Sequence, residues 1–309
     1  MIGLGYIAAL DIGGTHARLA VQPLGDTPRF FEMPGFTLLQ NGPEDAARRC
    51  WALMEGPLAA LGTSPGDCQA LCCGAAGVDT ESDRRAYKAL LVQLGFAPGC
   101  IQVYNDCELL LAALDRPALL VAAGTGSLAL ARSADGRFHR CGGWGFFTSD
   151  EGSACRLALD GLACAVRAWD GADRATALTA LLEAEGIGSA AQAEALARAA
   201  LADKSRLAAL APLVLRAAQS GDKPASQLVW QAVRGLGGCA LAAARKAKLY
   251  RPPLLLWGSL LTESEVLSTP LTAFLQREAK VQLLPPGPSA LESALTLARA
   301  RLENTEKEC

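Results

Sequence analysis

The chain has 309 residues, of which 51% are hydrophobic and 19% are charged. This length is about twice that of a typical domain, so we expect two domains, and the apolar content excludes wholesale disorder. The net charge of -2 is not the basic excess that a general nucleic-acid binder carries, and no uninterrupted run reaches the ~18 apolar residues of a membrane-spanning helix.

The N-terminal third of the chain predicts the element order β-β-β-α-β-α-β-α. An apolar strand at 6–10 passes through a glycine-rich turn into a second extended segment, which predicts a β-hairpin. Pro43 and the acids that follow it predict the start of a helix that ends near Leu61. The other predicted elements are strands at 29–33, 69–73 and 101–104 and helices at 83–95 and 108–114.

A second unit begins near residue 118 and partly repeats the first. Strands at 118–123 and 127–131 flank another glycine-rich turn, and a third strand follows at 137–140. The chain from 152 to about 249 is predicted to be almost entirely helical. The last predicted elements are a strand at 254–257, a helix at 264–280, a strand at 281–284 and a helix at 289–302. Two units that each open with such a hairpin suggest a nucleotide held between two clamps.

The cysteines and the N-terminus bear on the compartment. The chain has 11 cysteines, several of them in apolar stretches, and its first residues lack the basic segment and cleavage site of a signal peptide. We therefore expect reduced, mostly buried thiols and a cytoplasmic protein.

The two glycine-rich turns are candidate phosphate-binding segments. In Asp11-Ile-Gly-Gly-Thr15, glycines without a Cβ would let a polyphosphate approach the backbone N–H groups, and Asp11 could hold a hydrated magnesium ion. Gly124-Thr-Gly-Ser127 repeats the arrangement. An ordinary hairpin turn explains either segment alone, but the repetition favours phosphate binding. Neither segment matches the Walker or the dinucleotide motif.

Asp106 is a candidate general base. It follows Asn105 at the end of a predicted buried strand, where a carboxylate could accept a proton from a substrate hydroxyl. Phosphoryl transfer needs little beyond positioning, charge neutralisation and one such base. The alternative is that Asp106 caps the following helix.

The segment from Gly142-Gly-Trp-Gly145 to Ser149-Asp-Glu-Gly-Ser153 is the most unusual of the chain. A glycine loop lets a substrate meet the backbone, and Asp150 or Glu151 could hydrogen-bond to sugar hydroxyls. The alternative is a helix-capping loop with a tryptophan in the core.

Together these segments resemble the actin-like ATPase and sugar kinase superfamily, and more specifically the BadF/BadG/BcrA/BcrD ATPase family in its N-acetylglucosamine kinase branch. The resemblance spans most of the chain, in the family's order. The segments that carry it are 11–15, 104–106, 124–127, 142–145, 149–153 and 254–259.

The resemblance implies an α/β fold with two actin-like ATPase (ribonuclease H-like) domains. Each would be a mixed five-stranded sheet with helices, and an interdomain cleft would close over ATP and sugar. The expected domains are 1–114 and 115–309, the second with a large helical insertion, and the last helix is a candidate to pack back on the first domain. Relatives are often dimers, so a homodimer is also considered.

The resemblance also implies roles for individual residues. Asp106 would deprotonate the 6-hydroxyl of an amino sugar, and Asp11 would bind Mg²⁺, mostly through water. The residues expected to contact the phosphates of ATP are Gly13, Gly14, Thr15, Gly124, Thr125, Gly126 and Ser127. The expected adenosine contacts are Gly258 and Ser259. The expected sugar contacts are Asn41, Asp106, Gly145, Asp150 and Ala154.

The sequence departs from the family's pattern at a few positions. Ile12 stands where a third glycine is usual, His16 where lysine is common, Ser149 replaces a glycine, and the pattern around Asn41 differs from the family's sugar-contacting segment. The favoured function is ATP-dependent phosphorylation of N-acetylglucosamine or glucosamine. The alternatives are a glucokinase-like hexose kinase, an ATPase activator of a partner enzyme and a non-catalytic sugar sensor.

Overall fold

The computed structural model describes residues 5–14 and 16–308. Its strands are β1 (Tyr6–Ile12), β2 (His16–Pro23), β3 (Arg29–Pro34), β4 (Cys68–Ala75), β5 (Ile101–Asn105), β6 (Ala118–Ala123), β7 (Ser127–Arg132), β8 (Phe138–Gly142), β9 (Pro253–Trp257) and β10 (Gln282–Leu283). Its helices are α1 (Leu38–Ala60), α2 (Glu81–Gln93), α3 (Asp106–Ala112), α4 (Ala154–Trp169), α5 (Ala177–Ala184), α6 (Ala190–Ala199), α7 (Ser205–Ala208), α8 (Ala211–Gln219), α9 (Lys223–Lys246), α10 (Ser259–Thr262), α11 (Glu265–Ala279) and α12 (Ala290–Glu308). Contacts divide the chain into unit 1, with residues up to Asp115 and from Gly287 onward, and unit 2, Arg116–Pro286.

Unit 1 contains a mixed five-stranded sheet in the order β3-β2-β1-β4-β5. The first three strands form an antiparallel meander, whereas β1, β4 and β5 are parallel. The element order confirms the prediction for this part of the chain. Because parallel strands end at one edge of a sheet, Ile12, Ala75 and Asn105 lie in one register row there.

The central strand β1 is buried on both faces, which explains its nearly continuous apolar sequence. One set of alternate residues, including Tyr6 and Leu10, packs in the same cluster as side chains of α1 and α2. The other set, Ile7 and Ala9, packs against α12. The neighbouring strands present small residues to α12, which lets the helix approach closely. These residues are Ala20, Ala70 and Cys72.

Unit 2 repeats this topology with the order β10-β9-β6-β7-β8. β6 pairs antiparallel with β7 and parallel with β9, as β1 pairs with β2 and β4. The helices α4–α9 occupy the segment between β8 and β9, as predicted, and α8 and α9 contribute much of the core against β6 and β7. Two mixed five-stranded sheets with helices confirm the predicted fold class.

Two helix ends differ from the prediction. α1 begins at Leu38, but Gly42 has φ 74° and ψ 165°, so the regular helix starts at Pro43. α12 continues to Glu308, beyond the predicted end at Leu302, because its last turns are rich in Glu and Lys, which favour helix. Among the described helices, none combines the length and the apolarity that a membrane crossing requires.

The described cysteines are free thiols, and all but Cys141 and Cys239 are buried. The expectation of mostly buried thiols is therefore confirmed for this part of the chain. Burial raises the pKa of the Cys50 and Cys72 thiols to about 12.

Candidate functional site

In unit 1, the turn after β1 is held by its own backbone and by β3. The N–H of Gly13 donates to the carbonyl of His16 over 2.9 Å, so a phosphate would be bound by the N–H groups that follow it, beginning with Gly14. Thr15 lies outside the described residues. Gly35, just after β3, approaches the turn so closely that a Cβ there would lie 2.2 Å from the carbonyl oxygen of Gly13. Sequence patterns gave no sign of this contact.

Asp11 lies near the end of β1, beside Arg18 of β2 and Gly74 of β4. Its side chain is 15% exposed, and its Oδ2 lies 3.6 Å from Nη1 of Arg18. Burial raises the pKa of the Asp11 carboxyl, Arg18 opposes this, and Asp106 raises the pKa further. The carboxylates predicted as metal ligand and as general base therefore act on each other in unit 1.

Asp106 is the first residue of α3, directly after β5. The helix cap is Asn105, whose Oδ1 accepts from the N–H of Cys107 over 3.0 Å. Oδ1 of Asp106 accepts from the same N–H over 2.9 Å, and hydrogen bonds from Cys107 favour the ionised carboxylate. Burial raises the pKa of Asp106, and the nearby Asp79 raises it further. Because Asn105 supplies the cap, Asp106 is not needed for it.

Buried contacts fix the position of α3. The carboxylate of Glu108 accepts from the N–H of Asn105 over 3.0 Å and from Nη2 of Arg84 over 2.9 Å. Leu109 packs so tightly on Gly74 that a Cβ there would lie 1.8 Å from its Cδ1. The spacing of Asn105 and Glu108 is that of a capping box, which is the one signal in the sequence that pointed to this arrangement.

In unit 2, the turn between β6 and β7 lies on the start of α4. Within the turn, the N–H of Gly124 donates to the carbonyl of Gly126 over 2.9 Å. The N–H groups of Ala154 and Cys155, at the start of α4, donate to the carbonyls of Gly124 and Thr125, respectively. The hydroxyl of Ser127 donates to the carbonyl of Glu151 over 2.8 Å. Ser127, predicted to contact phosphate, thus links the turn to the loop before α4.

The loop between β8 and α4 brings Asp150 to this turn. Asp150 has a left-handed backbone, with φ 56°, and is 5% exposed. Its Oδ1 accepts from the N–H of Gly145 over 3.0 Å, and its Oδ2 lies 3.0 Å from where a Cβ of Gly126 would be. Burial raises the pKa of Asp150, whereas the N–H of Gly145, then Lys204 and Arg140, oppose this shift.

Trp144, at the tip of this loop, is 66% exposed. The alternative of a tryptophan in the core is therefore wrong. Arg140 lies over its ring, with Cζ 4.6 Å from the ring centre.

Gly258 and Ser259, predicted to contact adenosine, lie at the junction of β9 and α10. Gly258 has φ 88°, and a Cβ there would lie 2.4 Å from the carbonyl oxygen of Ala123, at the end of β6. A cavity of about 490 Å³ begins beside this junction, with an apolar floor and polar side chains around it. Its lining includes Leu256, Leu261, Thr262, Glu265, Leu283 and Leu284.

Asn41, predicted to contact the sugar, lies in α1 and has protein partners. Its Oδ1 accepts from the N–H of Thr37 over 3.1 Å, and its Nδ2 donates to Asp45 over 2.8 Å. Its amide is therefore engaged at the start of α1.

The residues present fit a nucleotide and a hard cation. A Cβ at Gly124 would meet no atom within 4 Å, so the backbone of this turn borders open space that phosphate oxygens can enter. A mostly buried carboxylate such as Asp11 is the ligand type that Mg²⁺ prefers. Among the described residues, no three His, Cys, Asp or Glu side chains form a metal-binding group, so water and phosphate would complete the coordination.

The model of the BadF/BadG/BcrA/BcrD ATPase family matches residues 10–283. The chain belongs to this family. The match begins within β1 and ends in β10, and it includes both turns, Asp106 and the loop that carries Asp150. The resemblance stated from the sequence is thereby confirmed.

Relatives with named activities are similar over much of the chain. The N-acetylmuramic acid/N-acetylglucosamine kinase of Clostridium acetobutylicum is 28% identical over 236 residues, which cover 75% of this chain and 76% of that protein. The N-acetyl-D-glucosamine kinase of Dictyostelium discoideum is 26% identical over 171 residues, 54% of each chain. A crystal structure from Chromobacterium violaceum, of a protein proposed to be an N-acetylglucosamine kinase, has a TM-score of 0.72 and 26% identity. The alignment covers 96% of this chain and 99% of that one.

Proposed function

We propose that this protein is an ATP-dependent kinase that phosphorylates an amino sugar, N-acetylglucosamine or glucosamine, at the 6-hydroxyl, with Asp106 as the general base. The observation that carries the proposal is the position of Asp106 at the head of α3, directly after β5, within a family whose named relatives here are N-acetylglucosamine kinases. The Clostridium relative also acts on N-acetylmuramic acid, so this sugar is included among the candidates.

ATP supplies the phosphoryl group, and Mg²⁺ neutralises charge on its oxygens. Backbone N–H groups in the turns, from Gly14 in unit 1 and from Thr125 and Gly126 in unit 2, would donate to phosphate oxygens. Asp11 would hold the cation, mostly through water. Gly258 and Ser259 lie in the chain between Leu256 and Leu261, which line the cavity that we assign to the adenosine.

Asp106 receives the proton of the accepting hydroxyl. Its carboxylate lies at the start of α3 and accepts from the N–H of Cys107, which holds it in one orientation toward an incoming alcohol. Burial raises the pKa of Asp106, and a more basic carboxylate is a better proton acceptor. The buried contacts of Glu108 keep α3, and with it Asp106, in place.

Asp150 orients the sugar. Its carboxylate is held by the N–H of Gly145 and is stabilised in the ionised form by two cationic side chains, so it can accept hydrogen bonds from sugar hydroxyls. Gly145 and Ala154 lie on the same loop and helix start and would contribute backbone contacts.

The test is an ADP-release assay with N-acetylglucosamine, glucosamine, N-acetylmannosamine, N-acetylmuramic acid and glucose. We expect turnover with an amino sugar and a 6-phosphate product, identified by phosphorus–proton NMR. The matched control is 6-deoxy-N-acetylglucosamine, which keeps every other group and should give no sugar-dependent ADP release. Equal ADP release with and without sugar would instead indicate an ATPase, and preferential turnover of glucose would favour a glucokinase-like enzyme.

A further inference from the structure

Arg140 is near the end of β8, and its guanidinium folds back onto the loop that follows. Nε donates to the carbonyl of Gly142 over 3.0 Å, and Nη2 donates to the carbonyl of Gly143. The same group lies over the ring of Trp144. One side chain thus contacts three consecutive residues of the loop, and a planar guanidinium is the group that can donate in two directions while stacking on a ring.

The loop is shaped to receive this guanidinium. Gly142 and Gly143 both have φ 80°, and Gly145 has φ 96°, so the backbone adopts a path that other residues rarely follow. A Cβ at Gly143 would lie 2.5 Å from Nη2 of Arg140. Trp144 is largely exposed, so core packing does not hold the loop tip.

The loop held by Arg140 leads directly to Asp150. The N–H of Gly145 donates to Oδ1 of this carboxylate. The charged groups that act on Asp150 are Lys204 and Arg140, which lower its pKa, and Glu151, which raises it. Arg140 therefore acts on Asp150 twice, through the backbone of the loop and through its charge.

We propose that Arg140 is a positioning residue for sugar binding, which holds residues 142–145 in the conformation that presents the Gly145 N–H to Asp150. The proposal rests on the proposed function, because it takes Asp150 as a sugar contact. The glycine-rich motif of this loop begins at Gly142, so the motif identifies neither Arg140 nor its role.

The first test measures the loop itself and needs no activity. We expect hydrogen–deuterium exchange in the peptide spanning 142–150 to be several-fold faster in Arg140→Met than in the parent protein. The control is Arg251→Met, which removes another guanidinium that stacks on an aromatic ring, that of Tyr250, outside the proposed site. Unchanged exchange in Arg140→Met, or an equal change in this peptide in Arg251→Met, would overturn the proposal.

The second test measures the sugar. Arg140→Met should raise KM for the sugar about tenfold, with kcat and KM for ATP changed less than threefold. The acidic limb of the pH profile of kcat/KM for the sugar should move to higher pH, because the loss of Arg140 raises the pKa of Asp150. Arg140→Lys keeps the positive charge but loses the planar guanidinium that donates in two directions. This variant should therefore keep the pH profile of the parent protein, while its 142–150 peptide should still exchange faster.

A double-variant cycle separates positioning from general damage. In the Asp150→Asn background, adding Arg140→Met should raise KM for the sugar by less than twofold, because the residue through which it acts is already altered. A full tenfold further increase, or parallel losses in kcat and ATP affinity, contradicts the proposal. If the parent protein phosphorylates no sugar, the proposed function fails, and the exchange experiment still decides whether Arg140 holds the loop.

Discussion

The two units place acidic residues beside equivalent hairpins in different electrostatic surroundings. In unit 1, burial raises the pKa of Asp11 and of Asp106, and a neighbouring carboxylate adds to each shift: Asp106 raises the pKa of Asp11, and Asp79 raises that of Asp106. In unit 2, Asp150 receives the N–H of Gly145 and faces Lys204 and Arg140, which oppose the effect of burial.

This difference separates two kinds of chemistry. Buried acids beside other carboxylates gain from a cation or a proton, which suits the metal ligand and the base that we propose. An acid that faces two cationic side chains is favoured in its ionised form, which suits the proposed hydrogen-bond acceptor for a neutral substrate. The fold repeats, but different side chains surround the two turns.

The largest expected effect follows from removing the proposed base. Asp106→Asn should lower kcat at least ~100-fold, the low end of general-base effects, because the amide cannot accept the proton. Binding of ATP and sugar, measured by calorimetry, should remain. Asp26→Asn is the control, since Asp26 is an exposed acid of the same unit that also accepts a backbone N–H. If Asp106→Asn turns over nearly as fast as the parent protein, Asp106 is not the general base, and the proposed difference in role between the acids of the two units is wrong.

Each turn also depends on a glycine from a neighbouring element. Gly35→Ala and Gly258→Ala should each cost ~1–3 kcal/mol, because the new Cβ would meet a backbone oxygen at 2.2 Å and 2.4 Å. Urea unfolding and KM for ATP are the measurements. Gly136→Ala is the control, with φ 80° and no atom within 4 Å of the new Cβ, so it carries only the cost of the backbone conformation. If the two variants lose no more free energy of unfolding than Gly136→Ala, the backbone of the turns moves to accommodate the new Cβ without further cost.

The sequence allowed the local part of this architecture to be predicted. Hydrophobic alternation and glycine-rich turns identified the hairpins, and a polar residue after a buried strand identified Asp106, because these signals lie within a few residues of one another. The family resemblance added the order of the motifs.

Contacts between distant segments could not be predicted in this way. Gly258, after β9, lies against the carbonyl of Ala123 at the end of the neighbouring strand β6, and Arg84 of α2 donates to Glu108 of α3. The family resemblance assigned the hydroxyl of Ser127 and the amide of Asn41 to ligands, whereas the fold gives both groups protein partners. No local pattern distinguishes these two uses of a polar side chain.

Ser127→Ala tests one such assignment. Loss of the bond to the carbonyl of Glu151 should cost about 1 kcal/mol in the free energy of unfolding, with KM for ATP changed less than threefold. The control is Ser133→Ala, which removes an exposed hydroxyl that bonds within the β7–β8 turn. A more than tenfold rise in KM for ATP, without loss of stability, would restore Ser127 as a direct phosphate contact.

The smallest expected effect concerns stability and pH, and it compares the two acids directly. The pKa of Asp106 is raised on folding, so its ionised form costs stability above that raised pKa, and the cost disappears once pH falls below the ordinary value for aspartate. Asp106→Asn should therefore raise Tm at neutral pH, and this gain should vanish in acid.

Asp150→Asn should give a smaller gain or a loss at neutral pH, because its charge is compensated by Lys204, Arg140 and the N–H of Gly145. Thermal unfolding of both variants across the acidic and neutral range is the measurement. Equal gains for the two variants would show that burial alone governs both carboxylates. In that case the surroundings of the two hairpins would not explain a division of roles between base and sugar contact.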